Sequence, residues 1–150
     1  MKARRIGVAL FTIAATLGMA GGVAAGQPQP VTITDLTQFD AFDNPFEATG
    51  GVICTAGTVS TVPDRFVGWQ SGSHARILQV KSFVCPDGSF DVLLRVTLDF
   101  ATGDTVGTWS VLNGSGAYAS LHGAGSITGD KTDPEAMEIL DIYTGVMHVD

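Results

Sequence analysis

Two ionisable side chains on the last apolar stretch, Asp141 and Tyr143, share one face of an alternating run with Ile139 and Met147. If that face points inward, a carboxyl group beside a phenol loses hydration, its pKa rises, and the pair can hold or pass a proton. Trp109, on an earlier run, reads as core packed on Val96 and joins these two as a candidate to line a cavity. Other familiar constellations fail. His74, His122 and His148 lie far apart with no His-x-His or His-x3-His spacing, so no metal site is expected from them. Asp130, Asp133, Glu135 and Glu138 lack the alternation of a calcium loop and read as a solvated acidic loop. No Gly-x-Ser-x-Gly elbow is present. In the run from Gly125 to Thr132, Asp130 directly precedes Lys131, which spoils a phosphate cradle. Arg95 reads as a solvated outer-face residue opposite Ser110 and near Gln79. No catalytic residue is assigned.

These side chains must be positioned by strands. Phe90, Val92, Leu94, Val96, Leu98 and Phe100 alternate with Asp91, Arg95, Thr97 and Asp99, the period of a half-buried strand, with Leu93 the exception. Cys85-Pro86-Asp87-Gly88-Ser89 reads as a three-residue hairpin loop, with Gly in the left-handed position. That turn pairs Val84 with Phe90, Ser82 with Val92, Val80 with Leu94 and Leu78 with Val96. A turn at 101–104 pairs Leu94 with Val111, Val96 with Trp109 and Thr97 with Thr108. Further strands are expected at Val31–Thr37, Val52–Ser60, Gly123–Thr128 and Leu140–Val149, with 61–75 a connecting loop and a short helical start at Asp133-Pro134-Glu135. Seven or eight strands joined mostly by hairpins predict an all-β domain. An antiparallel closed barrel of about eight strands and a two-sheet β-sandwich both satisfy the pattern.

The first 25 residues stand apart. Lys2, Arg4 and Arg5 precede an apolar stretch from Ile6 to Met19, and Val23 and Ala25 sit at the −3 and −1 positions of a cleavage site. This is the layout of a secretory signal peptide, leaving 26–150 as one secreted, extracellular domain. That domain holds five basic residues against fifteen acidic ones, ten net negative charges. Such a chain repels phosphate backbones and anionic lipid, so neither nucleic acid nor, once the signal is removed, membrane is an expected partner. Cys54 and Cys85 are the only cysteines. In an oxidising compartment they are expected to pair. An antiparallel fit of 52–60 on 76–85 places Cys54 opposite Cys85, Val59 beside Val80 and Thr58 beside Lys81, with the disulfide on the polar face.

The stretch from Gly107 to Gly125 is the most distinctive. A strand runs into Gly114-Ser115-Gly116, then a tight apolar elbow around Tyr118 and Leu121, then a strand opened by Gly123, with Tyr118 and Leu121 placed to plug a barrel end. Gly114, Gly116, Tyr118 and Gly123 resemble the glycine-aromatic elbow of the allene oxide cyclase and dirigent-like β-barrel superfamily, closest to its secreted bacterial-type members. The resemblance implies an eight-stranded barrel with an apolar cavity, often in dimers or trimers, working without metal or organic cofactor. The matched residues are architectural, and none of the family's catalytic positions can be carried over. The expected function is therefore binding of a small apolar molecule, or service as a stable extracellular scaffold. The alternative is a cofactor-free cyclase or isomerase acting on a reactive apolar substrate. Ionisable groups meeting inside the cavity would favour the enzyme.

Overall fold

The computed structural model describes residues 26–38, 42–50, 52–132 and 138–150. The signal segment and the helical start at Asp133 lie outside the described residues. Eight antiparallel strands follow one another as neighbours: β1 (Gln29–Gln38), β2 (Asn44–Thr49), β3 (Ala56–Ser71), β4 (His74–Cys85), β5 (Gly88–Asp99), β6 (Thr105–Gly116), β7 (Leu121–Lys131) and β8 (Glu138–Val149). A ladder from Gln29↔Met147 to Gln38↔Glu138 joins β1 to β8 and closes the barrel, so the sandwich alternative falls away. An eight-stranded barrel has a lumen just wide enough to be filled by side chains or to hold one small guest. This one is filled by side chains at one end and encloses a cavity toward the other.

The lower half is packed. Phe83 stacks on Phe90 with centroids 5.1 Å apart and meets Phe46 and Tyr143 edge-on at 5.2 and 5.7 Å. Offset and edge-to-face rings of this kind add about 0.5–1.5 kcal/mol per pair beyond their buried area. Trp109 lies over Gly145, where an added Cβ would stand 2.7 Å from the indole Cζ2, and its Nε1 donates to the Thr144 carbonyl at 3.3 Å. Beneath, Tyr118 and Leu121 close the end, both buried. The Tyr118 hydroxyl donates to Asp87 Oδ1 (2.7 Å) and accepts from the Cys54 amide (3.1 Å). Burial, then the bond to Asp87, raises the Tyr118 pKa.

Three register expectations are corrected. The turn between β4 and β5 is Pro86-Asp87 alone, and Gly88 pairs with Cys85 inside the ladder. Gly88 is needed for room, since a Cβ there would collide with the Ser115 carbonyl and crowd Tyr118. The shorter turn slips β4 by one residue, so Phe83, Lys81, Gln79 and Ile77, not Val84, Ser82, Val80 and Leu78, oppose Phe90, Val92, Leu94 and Val96. The β5–β6 register is shifted by two, pairing Leu94 with Trp109 and Arg95 with Thr108, with a bulge between Asp91 and Val92. An even shift keeps the faces. Trp109 is thus core beside Leu94 rather than Val96, and Arg95 stays exposed. On β3, Thr61 faces Lys81 and Val59 faces Phe83, not Val80.

The Cys54–Cys85 disulfide is formed, with Cα atoms 5.9 Å apart. It lies against the interior cluster rather than on the polar face, because the slip turns Cys85 inward. The segment expected as a loop at 61–75 is largely strand: β3 continues to Ser71, with Val62–Arg65 bulging out opposite Val80. Strand β2, with Pro45, had no counterpart among the expected elements. Phe100, placed on the apolar face by alternation, falls beyond β5 and is 48% exposed.

Candidate functional site

Above the aromatic layer the lumen is open. A cavity of about 510 Å³ is walled by Ile77, Leu94, Val96, Leu98, Ile127 and Ile139, with Phe42, Pro63 and Phe66 at its mouth. The bulge at Val62–Arg65 brings Pro63 and Phe66 there. At its base stand Thr37, Lys81 and Asp141.

The base is a layer of ionisable and hydroxylic groups across the lumen. Alternation along β1 sends Val31, Ile33, Asp35 and Thr37 inward, and the β1–β8 register sets Asp35 directly opposite Asp141. Two carboxylates so placed repel each other. Lys81, from β4, supplies the cation between them. Its ammonium donates to Asp35 Oδ2 (3.2 Å), Thr37 Oγ1 (2.6 Å) and Asp141 Oδ2 (2.8 Å). Thr37 Oγ1 lies 2.6 Å from Asp35 Oδ1 and 3.0 Å from Asp141 Oδ2, so its single proton serves either carboxylate. Tyr143, immediately below, donates to Asp35 Oδ2 at 3.2 Å and presents its ring 5.8 Å from the Lys81 nitrogen. Asp35, Lys81 and Asp141 are 1%, 3% and 7% exposed, so this is a buried ionic layer.

Burial raises the Asp141 pKa. Lys81 opposes that rise, Asp35 adds to it, and the hydrogen bonds from Lys81 and Thr37 oppose it further. Tyr143 is pushed well above the usual phenol range by burial and then by the two carboxylates, so it stays a neutral donor.

Of the three cavity candidates read from sequence, Asp141 lines the cavity, Tyr143 supports the layer from beneath, and Trp109 fills the lumen farther down. Sequence reasoning missed Asp35, Thr37 and Lys81. A signal for Asp35 was present, since it shares its parity with Val31 and Ile33 on a strand correctly expected. For Lys81 the signal pointed the other way. Its parity mates include Gln79, whereas the opposite face carries Leu78, Val80 and Val84.

The elbow residues Gly114, Gly116, Tyr118 and Gly123 lie at the closed end, away from the ionic layer. Cross-strand pairing brings His122 and His148 to 5.2 Å between ring centroids, near Asp150. Among the described residues no group of three or more His, Cys, Asp or Glu is placed to hold a metal ion. No family model, curated protein or solved structure matches the chain.

Proposed function

We propose that this domain binds one small, largely apolar molecule in the cavity between the ionic layer and the Phe42–Phe66 mouth. The observation that carries the reading is the cavity itself, of about 510 Å³, with mainly apolar walls and Thr37, Lys81 and Asp141 among its polar lining. Concave, mainly apolar pockets with a few convergent polar groups are the usual form of small-molecule sites. An exported location is part of this proposal, supported by the signal-like layout of 1–25 and by a buried disulfide compatible with an extracellular protein. Kinship with the allene oxide cyclase and dirigent-like barrels belongs to the same proposal. It is supported by the elbow at Gly114, Gly116, Tyr118 and Gly123 together with closed eight-strand topology.

Titration with a neutral solvatochromic dye such as Nile red, together with mass spectrometry of small molecules released from the native protein, tests it. One dye per chain is expected, weakened at least about tenfold by Leu98→Trp, which fills the cavity from its wall. No one-to-one binding, or binding indifferent to that substitution, would leave only the scaffold role.

A second reading, a cofactor-free isomerase or cyclase, is favoured by one observation: a carboxyl group with a raised pKa, Asp141, faces the cavity beside Lys81. Asp141 would then be the proton donor and acceptor. Chemical conversion of the bound molecule should vanish in Asp141→Asn while binding persists. An unchanged guest recovered after incubation with the native protein rejects this reading.

A further inference from the structure

The ionic layer constrains the chemistry of any guest, and the constraint lies in its stoichiometry. Two carboxylates, Asp35 and Asp141, face one ammonium, Lys81. All three Lys81 protons are engaged, by Asp35, Thr37 and Asp141, so none is free for a guest. Among the described residues lining the cavity, Lys81 and Asp141 are the only charged ones. An anionic head group would meet the Asp141 carboxylate and a cation already committed to two carboxylates.

The opposite holds for a cation. Asp141 accepts from Lys81 and Thr37 through Oδ2 alone. Among the described residues its Oδ1 accepts no hydrogen bond, yet it is not sealed, since no fully buried side-chain oxygen there lacks a partner. This carboxyl group is nine-tenths buried and lines the cavity. A row of residues in register brings a second oxygen to the side of Oδ1. Thr105 pairs with Gly129 and Gly129 with Asp141, so the missing side chain at 129 lets Thr105 Oγ1, Asp141 Oδ1 and an Ile139 methyl group converge over the Gly129 backbone. A Cβ at Gly129 would stand 2.5 Å from Asp141 Oδ1 and collide with Thr105 Oγ1. Thr105 also lines the cavity.

We infer that the guest is an amphiphilic amine, its ammonium seated at Asp141 Oδ1 and Thr105 Oγ1 and its apolar body lying along Leu94, Leu98 and Ile127. This rests on the small-molecule reading above and goes beyond it by fixing the charge of the head group. Charge-assisted hydrogen bonds to a buried carboxylate are about twice as strong as neutral ones. The ten net negative charges of 26–150 also favour approach of a cation over an anion.

The test compares n-octylamine, 1-octanol and octanoate, three guests sharing one apolar chain, by calorimetry on the native domain at pH 7. The amine is expected to bind at least about tenfold tighter than the alcohol, and octanoate at least about tenfold more weakly than the alcohol. Asp141→Asn should lower amine affinity to the alcohol's level and leave the alcohol within about threefold; Thr105→Val, a milder change, should cost the amine about threefold. Equal binding of all three, or preference for octanoate, overturns the amine assignment and leaves the apolar-ligand reading standing. An amine advantage that survives both substitutions overturns it as well. Binding of none of the three overturns both. The native-protein comparison decides even if Asp141→Asn fails to fold.

Discussion

Replacing Lys81 with methionine isolates the electrostatic work of the ionic layer. Methionine is unbranched, flexible and apolar, so it follows much of the lysine stem while removing the ammonium. What remains is two carboxylates opposite each other on β1 and β8, 1% and 7% exposed, with Thr37 and Tyr143 as their remaining donors. Removing one partner of a buried ion pair typically costs about 3–5 kcal/mol, because the charge left behind is neither solvated nor compensated. For a domain of this size that corresponds to a fall in Tm of roughly 10–20 °C. The sign of the pH dependence follows from the same cause. Without the cation, burial and mutual repulsion raise the pKa of the folded carboxylates above their unfolded value of about 4. The folded variant therefore binds protons more tightly than the unfolded chain. Its stability is retained below the unfolded pKa and lost as pH rises through the folded one. Urea melts at pH 7.5 and pH 4 should show the full deficit at the higher pH and a much smaller one at the lower. Adding Asp141→Asn to the variant should recover part of the loss at pH 7.5. A deficit below about 1 kcal/mol at pH 7.5, or one of equal size at both pH values, would refute the electrostatic account and leave a packing defect.

Other perturbations follow from the same geometry. In the native protein, the raised Asp141 pKa makes stability fall as pH rises through it, so Asp141→Asn should flatten that part of the stability profile measured by thermal melts. Opening the Cys54–Cys85 bridge, which spans 31 residues, should destabilise by roughly 3–4 kcal/mol in the chain-entropy model, read from urea melts with and without reductant. Gly145→Ala would place a methyl group 2.7 Å from the Trp109 indole and closer still to the Ala124 carbonyl. A loss of about 1–3 kcal/mol is expected, with a changed Trp109 environment in near-ultraviolet circular dichroism.

How far the sequence could be read depended on the range of the interaction. Strand β5 was legible because alternation from Phe90 to Leu98 is a local property, and β1, β7 and β8 were located for the same reason. Strand β2 was not, since Pro45 and only six residues hide its period. The distal part of β3 was lost because most of its residues are exposed and the bulge with Pro63 interrupts the pattern. The largest miss was one residue of turn length. Gly88 looked like a left-handed turn residue, whereas it serves close packing against Tyr118 and Ser115, a contact between segments nearly thirty residues apart. That single slip put Lys81 outside the barrel. Asp141 and Tyr143 could be singled out from their own strand. Their partners could not, because the layer assembles from β1, β4 and β8, and only closure brings those together.

The plug formed by Tyr118 and Leu121 makes the barrel a cul-de-sac. A guest that enters past Phe42 and Phe66 leaves by the same door, in reverse order. Whichever end goes in first is the end that is inspected by the layer at the bottom, while the trailing end stays near the threshold and can extend outward. Under the proposed ligand-binding function, selectivity would be concentrated in the leading group, and chain length beyond the depth of the blind hole would be left unread.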